Sequence, residues 1–236
     1  PSSGWPSSDL HAAIATLSNG PLCVGDAIGG SDKDLLMRTC RADGLLLRPT
    51  RPCLALDESL SPEFGNGELC DAIVDNSNRR YHYILGAALD NDVEISLDML
   101  DEESPAERYL VTDATMAASD ALLLDSSSTI TIPRDPNATN VGSFHDWTLL
   151  QVAPELSGGF FFLGELYKFV SVSNERFENI SVDGKSITAT FKGVLDEVVT
   201  ISVAHKPENE YITQVDTICV VSNSNESMAV TCSVVE

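Results

Sequence analysis

Basic side chains are scarce in this chain: 14 Lys and Arg stand against 36 Asp and Glu, a net charge of −22 over 236 residues. A nucleic-acid duplex has to be met by clustered Lys and Arg, and anionic lipid attracts the same groups, so the balance argues against both partners. A neutral ligand such as a sugar meets no such objection, and the plainest role of the charge is solubility. Long apolar runs are also missing; none approaches the roughly 18 residues that cross a bilayer. The six cysteines include no C-x-x-C pair, which removes support for zinc ribbons and thioredoxin-like chemistry. No phosphate-cradling G-K-[ST] loop, no spaced dinucleotide glycines and no G-x-S-x-G elbow occur. No cofactor is expected. His82, His145 and His205 stand isolated, without a second ligand at metal spacing, so no metal is expected either.

What is present begins with one helix. Ser8 can cap it, Leu10, Ala13, Ile14 and Leu17 fall on one face, and Asn19-Gly20 can close it. Pro21-Leu22-Cys23-Val24 then reads as a short strand buried on both faces, with Cys23 as a small hydrophobe. Gly25 to Gly30 form a glycine-rich loop. Ser31-x-x-Asp34 resembles a capping box opening a second helix that runs through about Cys40 and stops at Asp43-Gly44. Helix, strand, loop, helix is one unit of an α/β barrel or doubly wound sheet, in which the loop after the strand faces the active site.

Near residue 57 the pattern changes. Tyr81, Tyr83 and Leu85 alternate as in a strand, as do Val93, Ile95 and Leu97. Short apolar runs follow at 109–112, 121–124, 129–132, 147–152, 160–165, 169–172, 180–182, 198–203, 218–222 and 228–234. Asp183-Gly184 is the strongest hairpin signal, joining 179–182 to 186–191. Such spacing predicts an antiparallel sandwich, with Phe160, Phe161 and Phe162 in its core. The expected organisation is therefore α/β plus all-β: residues 1–56 as the last strand and flanking helices of a (β/α)8 barrel, and 57–236 as the sandwich. One strand and two helices cannot make a parallel sheet alone. Together with a start at Pro1, this predicts a processed product or a piece of a longer protein.

Several motifs in order resemble a known family. His11-Ala-Ala is followed by Asn19-Gly20-Pro21-Leu22-Cys23-Val24-Gly25-Asp26-x-x-Gly29 and by Asp34-Leu35-Leu36. Ala42-Asp43-Gly44-x-x-Leu47-Arg48 and Pro49-Thr50-Arg51-Pro52-Cys53-Leu54 come next. This order resembles the raffinose synthase and seed-imbibition group of the α-galactosidase-like glycoside hydrolase family 36. There H-A-A lies on a helix and a strand reads G-G-P-x-Y-V-S-D, ahead of L-P-D-G-x-x-L-R and P-T-R-x-C-L. Gly25 stands where plant members have Ser, and Asn19 where they have Gly. Gly164-Glu165-Leu166-Tyr167-Lys168-Phe169-Val170 is similar in kind to part of that family's sandwich. The resemblance implies retaining chemistry on α-galactosides, by hydrolysis or galactosyl transfer, with two carboxylates about 5 Å apart. In the family those carboxylates sit on earlier barrel strands, so none is assigned here and the chain alone is expected to be inactive. The rival expectation is a non-catalytic carbohydrate-binding or structural sandwich module.

The substrate-contact candidates are Asp26 at the strand end, Gly25 beside it and Trp5 as a stacking platform, with an α-galactoside carbohydrate as partner. Asp26 has a competing role in capping the glycine turn. His11, one helix earlier, is expected away from that loop. Arg38, Arg41, Arg48 and Arg51 are expected to pair with local acids such as Asp43 and Asp57, tying barrel to sandwich. Cys219 and Cys232 lie on successive strand-like segments where a cross-strand disulfide is one option. The sequons at Asn137, Asn179 and Asn225, with the cysteines, favour secretion.

Overall fold

The computed structural model describes residues 8–61, 64–100, 106–113, 121–134, 147–184, 186–206, 212–221 and 228–233. These are mostly β-sheet with two short α-helices and two single 3-10 turns, Asp57–Leu60 and Leu97–Met99. Helix α1, Ser8–Leu17, buries Ala12, Ala13, Thr16 and Leu17. Ile14, expected on the covered face, is 44% exposed because the smaller Ala12–Thr16 ridge meets the core instead. Asn19 closes α1 in the left-handed conformation, and Gly20 N–H reaches back to Ala15 O at 3.1 Å.

Residues 21–27 carry no strand ladder, which corrects the expectation of a buried strand at Leu22–Val24. An extended segment becomes a strand only by pairing its N–H and C=O groups, and no described strand lies alongside. Cys23 and Val24 are accordingly exposed, and every strand pair among the described residues is antiparallel. Helix α2 is shorter than expected, Lys33–Met37, and is capped by Asp32 rather than Ser31: the Asp32 carboxylate accepts from Leu35 N–H at 3.0 Å.

Among the described residues, fourteen strands follow. Strands β1 (Arg51–Ala55), β2 (Glu68–Asn76), β3 (Arg79–Ala87), β4 (Val93–Ile95), β5 (Arg108–Asp113), β6 (Leu122–Asp125) and β7 (Ile130–Ile132) fill the first half. The second half holds β8 (Trp147–Pro154), β9 (Phe160–Gly164), β10 (Phe177–Asp183), β11 (Ser186–Phe191), β12 (Val198–His205), β13 (Thr213–Val220) and β14 (Met228–Ser233). A six-stranded sheet runs β1-β2-β3-β8-β5-β6, two three-stranded sheets run β10-β11-β14 and β13-β12-β9, and β4 pairs with β7.

The period-2 pattern of β3 sorts its residues onto two cores. Tyr81, Tyr83 and Leu85 join Phe160, Phe161, Phe162, Phe177 and Phe191 in the first, which α1 also enters. Ile84 joins Leu150, Val152, Val111 and the β4–β7 ribbon in the second. Both faces of the large sheet are thus covered, consistent with a β-sandwich. The Asp183-Gly184 signal holds: β10 and β11 pair with Val182 opposite Ile187. The β2–β3 turn at Ser77 and Asn78 carried no glycine signal, yet both residues adopt positive φ, the geometry of a two-residue I′ turn. Ser77 Oγ accepts from Ile180 N–H at 2.9 Å and so anchors that turn to β10. The run at 169–172, expected as a strand, is buried loop: Glu165 N–H bonds Ser171 O, and Phe169 N–H bonds Arg38 O. A disulfide joins Cys53 on edge strand β1 to Cys70 on β2.

Candidate functional site

Because Asn19 reverses the chain, residues 21–26 return along α1 and wall a cavity of about 360 Å³ with it. Gly25 and Asp26 both line this cavity, Asp26 half-buried. His11, expected away from that loop, lines it as well, since the returning segment passes its face of the helix. Gly25 has no steric need to be glycine: a Cβ there would meet nothing within 4 Å. Gly29 does, with φ +80° in a turn closed by Gly30 N–H to Ala27 O at 2.8 Å. Trp5 lies outside the described residues. The cavity therefore offers a carboxylate acceptor beside an apolar, exposed strip that includes Val24 and Ile28.

The segment carrying that cavity is locked to the sandwich by the loop after β9. Lys168 Nζ donates to Met37 O and to Cys40 O, the latter at 2.6 Å, so a cation caps the end of α2. Arg38 Nε donates to Tyr167 O at 3.0 Å, with its guanidinium 4.1 Å over the Phe169 ring. Arg41 pairs with Asp43 at 2.6 Å, as expected, and also reaches Glu175 O at 3.0 Å. The main chain of Arg48 bonds Ser173 Oγ. Arg51 lies 3.8 Å from Asp75 on β2.

Behind this lock sits a buried charge cluster that sequence reasoning did not find, since its members are far apart in the chain. Arg176 donates from Nε to Glu165 at 2.6 Å and from Nη2 to Glu197 at 2.6 Å, with Nη1 also on Lys192 O. Glu197 Oε1 accepts Ala42 N–H at 3.0 Å, carrying the cluster into the N-terminal segment. Burial pushes the Glu165 carboxyl up against the pull of Arg176 and Lys168. Burial also pushes Glu197 up, but the hydrogen bonds from Arg176 and from Val194 N–H outweigh it and hold that carboxyl below the ordinary range. A lowered carboxyl stabilises the fold fully above the unfolded value of about 4.3 and loses that contribution as pH falls through the lowered one. Glu197→Gln is therefore expected to reduce stability at neutral pH by about 1–3 kcal/mol. It should also flatten the acid limb of a plot of urea midpoint against pH, measured from about pH 7 to pH 3.

His82, isolated in the sequence, has a partner in the fold. It is fully buried, and its Nδ1 lies 2.6 Å from Asp71 Oδ2 on the neighbouring strand. His145, Asn137 and Asn225 lie outside the described residues; Asn179 is exposed on β10. Cys219 and Cys232 are on strands of different sheets, so they are not ladder partners. Among the described residues no three His, Cys, Asp or Glu side chains group at metal-ligand spacing, and no helix is long and apolar enough to cross a membrane.

No known family model matches the chain. Over 58 residues it is 45% identical to the galactinol–sucrose galactosyltransferase of rice, Oryza sativa subsp. japonica, a stretch covering 22% of this chain and 7% of that protein. The chain thus spans a small part of the length of this relative, and the likeness is to a galactosyl-transferring enzyme over that stretch.

Proposed function

We propose that the chain is the C-terminal part of a retaining enzyme acting on α-galactosides. In this reading the first 56 residues end a (β/α)8 barrel and 57–236 form the sandwich packed against it. The observation that carries it is the 45% identity to a galactosyltransferase, joined by the ordered motifs from His11 to Leu54. The catalytic carboxylates belong to barrel strands that these residues do not include. Asp26 accepts a hydroxyl of the bound sugar, the loop at Gly25 leaves room for it, and Trp5 supplies a stacking face. Hydrolysis and transfer share the first, glycosyl-enzyme step and differ in the acceptor.

The test is to join this coding sequence to its neighbouring exons or genomic flank, express the complete protein and supply galactinol with sucrose. Galactosyl transfer or galactose release is expected, with Asp26→Asn raising KM about tenfold through a lost hydroxyl contact. A complete protein that neither transfers nor releases galactose overturns the reading. The missing ladder at Leu22–Val24 favours the second one, a carbohydrate-binding or structural module. The Cys23 thiol separates them: a barrel shields it from thiol reagents, whereas an appendage leaves it as exposed as it is in this chain.

A further inference from the structure

Strand β1 is thinly held at the edge of the large sheet. Its neighbour β2 pairs with β3 from Glu68–Ala87 to Asn76–Arg79 without a break. Against β1, β2 aligns only at Arg51–Ile73, Leu54–Asp71 and Ala55–Cys70, with a bulge between the first two. Pro52 lies within that bulge and has no N–H to give. Leu54 is 65% exposed, and Pro52 and Ala55 also lie at the surface, so apolar burial adds little to the ladder. The Cys53–Cys70 bond makes up the difference. Closing a loop between residues 17 apart removes enough chain entropy to favour the paired strand about a hundredfold. Both cysteines are half-buried on the outermost strand pair, so an attacking thiolate can approach from the open edge.

The upstream end of β1 reaches the wall of the Asp26 cavity. Thr50 Oγ1 accepts Asp75 N–H at 3.1 Å, and Pro49 O accepts from Asn19 Nδ2 at 3.2 Å. Asn19 is the residue whose left-handed turn brings 21–26 back along α1. Upstream again, Arg48 is pinned separately by Ser173 Oγ, which keeps the rest of the N-terminal segment docked when β1 moves.

We propose that Cys53–Cys70 is a reducible clasp whose opening by a dithiol frees β1 from β2 and loosens the Asn19 turn. One thiolate of the dithiol attacks a sulfur of the bond and expels the other as a thiolate. The second thiol of the reductant then resolves the mixed disulfide. Two electrons and two protons pass to Cys53 and Cys70, and the dithiol leaves as its own disulfide. The clasp does not depend on what the cavity binds, and it stands apart from the α-galactoside reading.

The test treats the full chain with dithiothreitol in the absence of denaturant and locates new thiols by alkylation and peptide mass spectrometry. Hydrogen exchange is compared before and after. Native-state reduction is expected, with exchange at residues 53–56 faster by at least about tenfold and exchange in β3 unchanged. Gly20, whose N–H bonds Ala15 O, should show a smaller acceleration. The double variant Cys53→Ser with Cys70→Ser should reproduce the reduced pattern without any dithiol. A bond that yields only in urea, or β1 exchange alike in both states, overturns the proposal. A variant that fails to fold, or β3 exchange rising with β1, makes the bond a global staple and overturns it too. Unchanged exchange at Gly20 overturns the coupling to the cavity.

Discussion

Arg176→Met is expected to remove about 3–5 kcal/mol of stability, the loss typical of stripping one partner from a buried ion cluster. The arginine side chain is wholly buried, and its carboxylate partners Glu165 and Glu197 are 1% and 7% exposed. Methionine fills much of the volume but leaves two carboxylates facing each other without a cation, together with an orphaned Lys192 carbonyl. Urea unfolding at neutral pH measures the loss. A triple variant, Arg176→Met with Glu165→Gln and Glu197→Gln, should recover part of it, because the buried charges leave together. A single variant within about 1 kcal/mol of the parent would show that the cluster contributes little net stability.

The same substitution reaches the N-terminal segment. Glu197 spans Arg176 and Ala42 N–H, so losing the guanidinium loosens the carboxylate that receives the segment's backbone. Hydrogen exchange at Ala42 should accelerate more than exchange in β3. The walls of the Asp26 cavity hang from that segment, so the cluster positions the candidate site without touching it.

Much of the sandwich was legible because its strands alternate cleanly. Tyr81, Tyr83 and Leu85 announce one face of β3, and Asp183-Gly184 announces the β10–β11 register. Strand β2 was hidden by its own chemistry: Asp71 and Asp75 interrupt the apolar pattern, and the neighbours His82, Arg80 and Arg51 make those acids tolerable in a sheet. Strand β1 was hidden by Pro52, which an edge strand accepts because its N–H side needs no partner. The run at 169–172 misled in the opposite direction. Its burial is real, yet its backbone bonds go to Arg38, Glu165 and the Tyr83 hydroxyl rather than to a ladder.

At the candidate site, the sequence located the loop but not its surroundings. Gly25 and Asp26 do line one cavity, whereas the arrival of His11 there depends on the left-handed turn at Asn19. The four arginines near α2 were read as partners of nearby acids. Arg38 and the backbone of Arg48 also meet groups more than a hundred residues away, at Tyr167 and Ser173. Local spacing carries no information about such pairings, which exist only once β9 and its loop have been placed.

Gly164→Ala is expected to be as damaging as the loss of Arg176, by a purely steric route. Gly164 ends β9 at φ +68°, and a Cβ there would lie 2.1 Å from Ser171 O and 2.8 Å from its carbonyl carbon. The left-handed conformation alone costs a non-glycine residue about 1–2 kcal/mol. The clash with main chain adds about 1–3 more, because a carbonyl held by Glu165 N–H at 3.0 Å cannot swing away as a side chain would. Relief requires opening the 164–171 loop, which presents Glu165 to Arg176 and Lys168 to the end of α2. A loss of about 3–5 kcal/mol in urea unfolding is therefore predicted, with early hydrogen exchange at Phe169, whose N–H bonds Arg38 O. Gly25→Ala is the matched control, since a Cβ there meets nothing within 4 Å, and it should leave stability unchanged within about 0.5 kcal/mol. If the two alanine variants unfold alike, the close approach of Gly164 to Ser171 is not what fixes the loop.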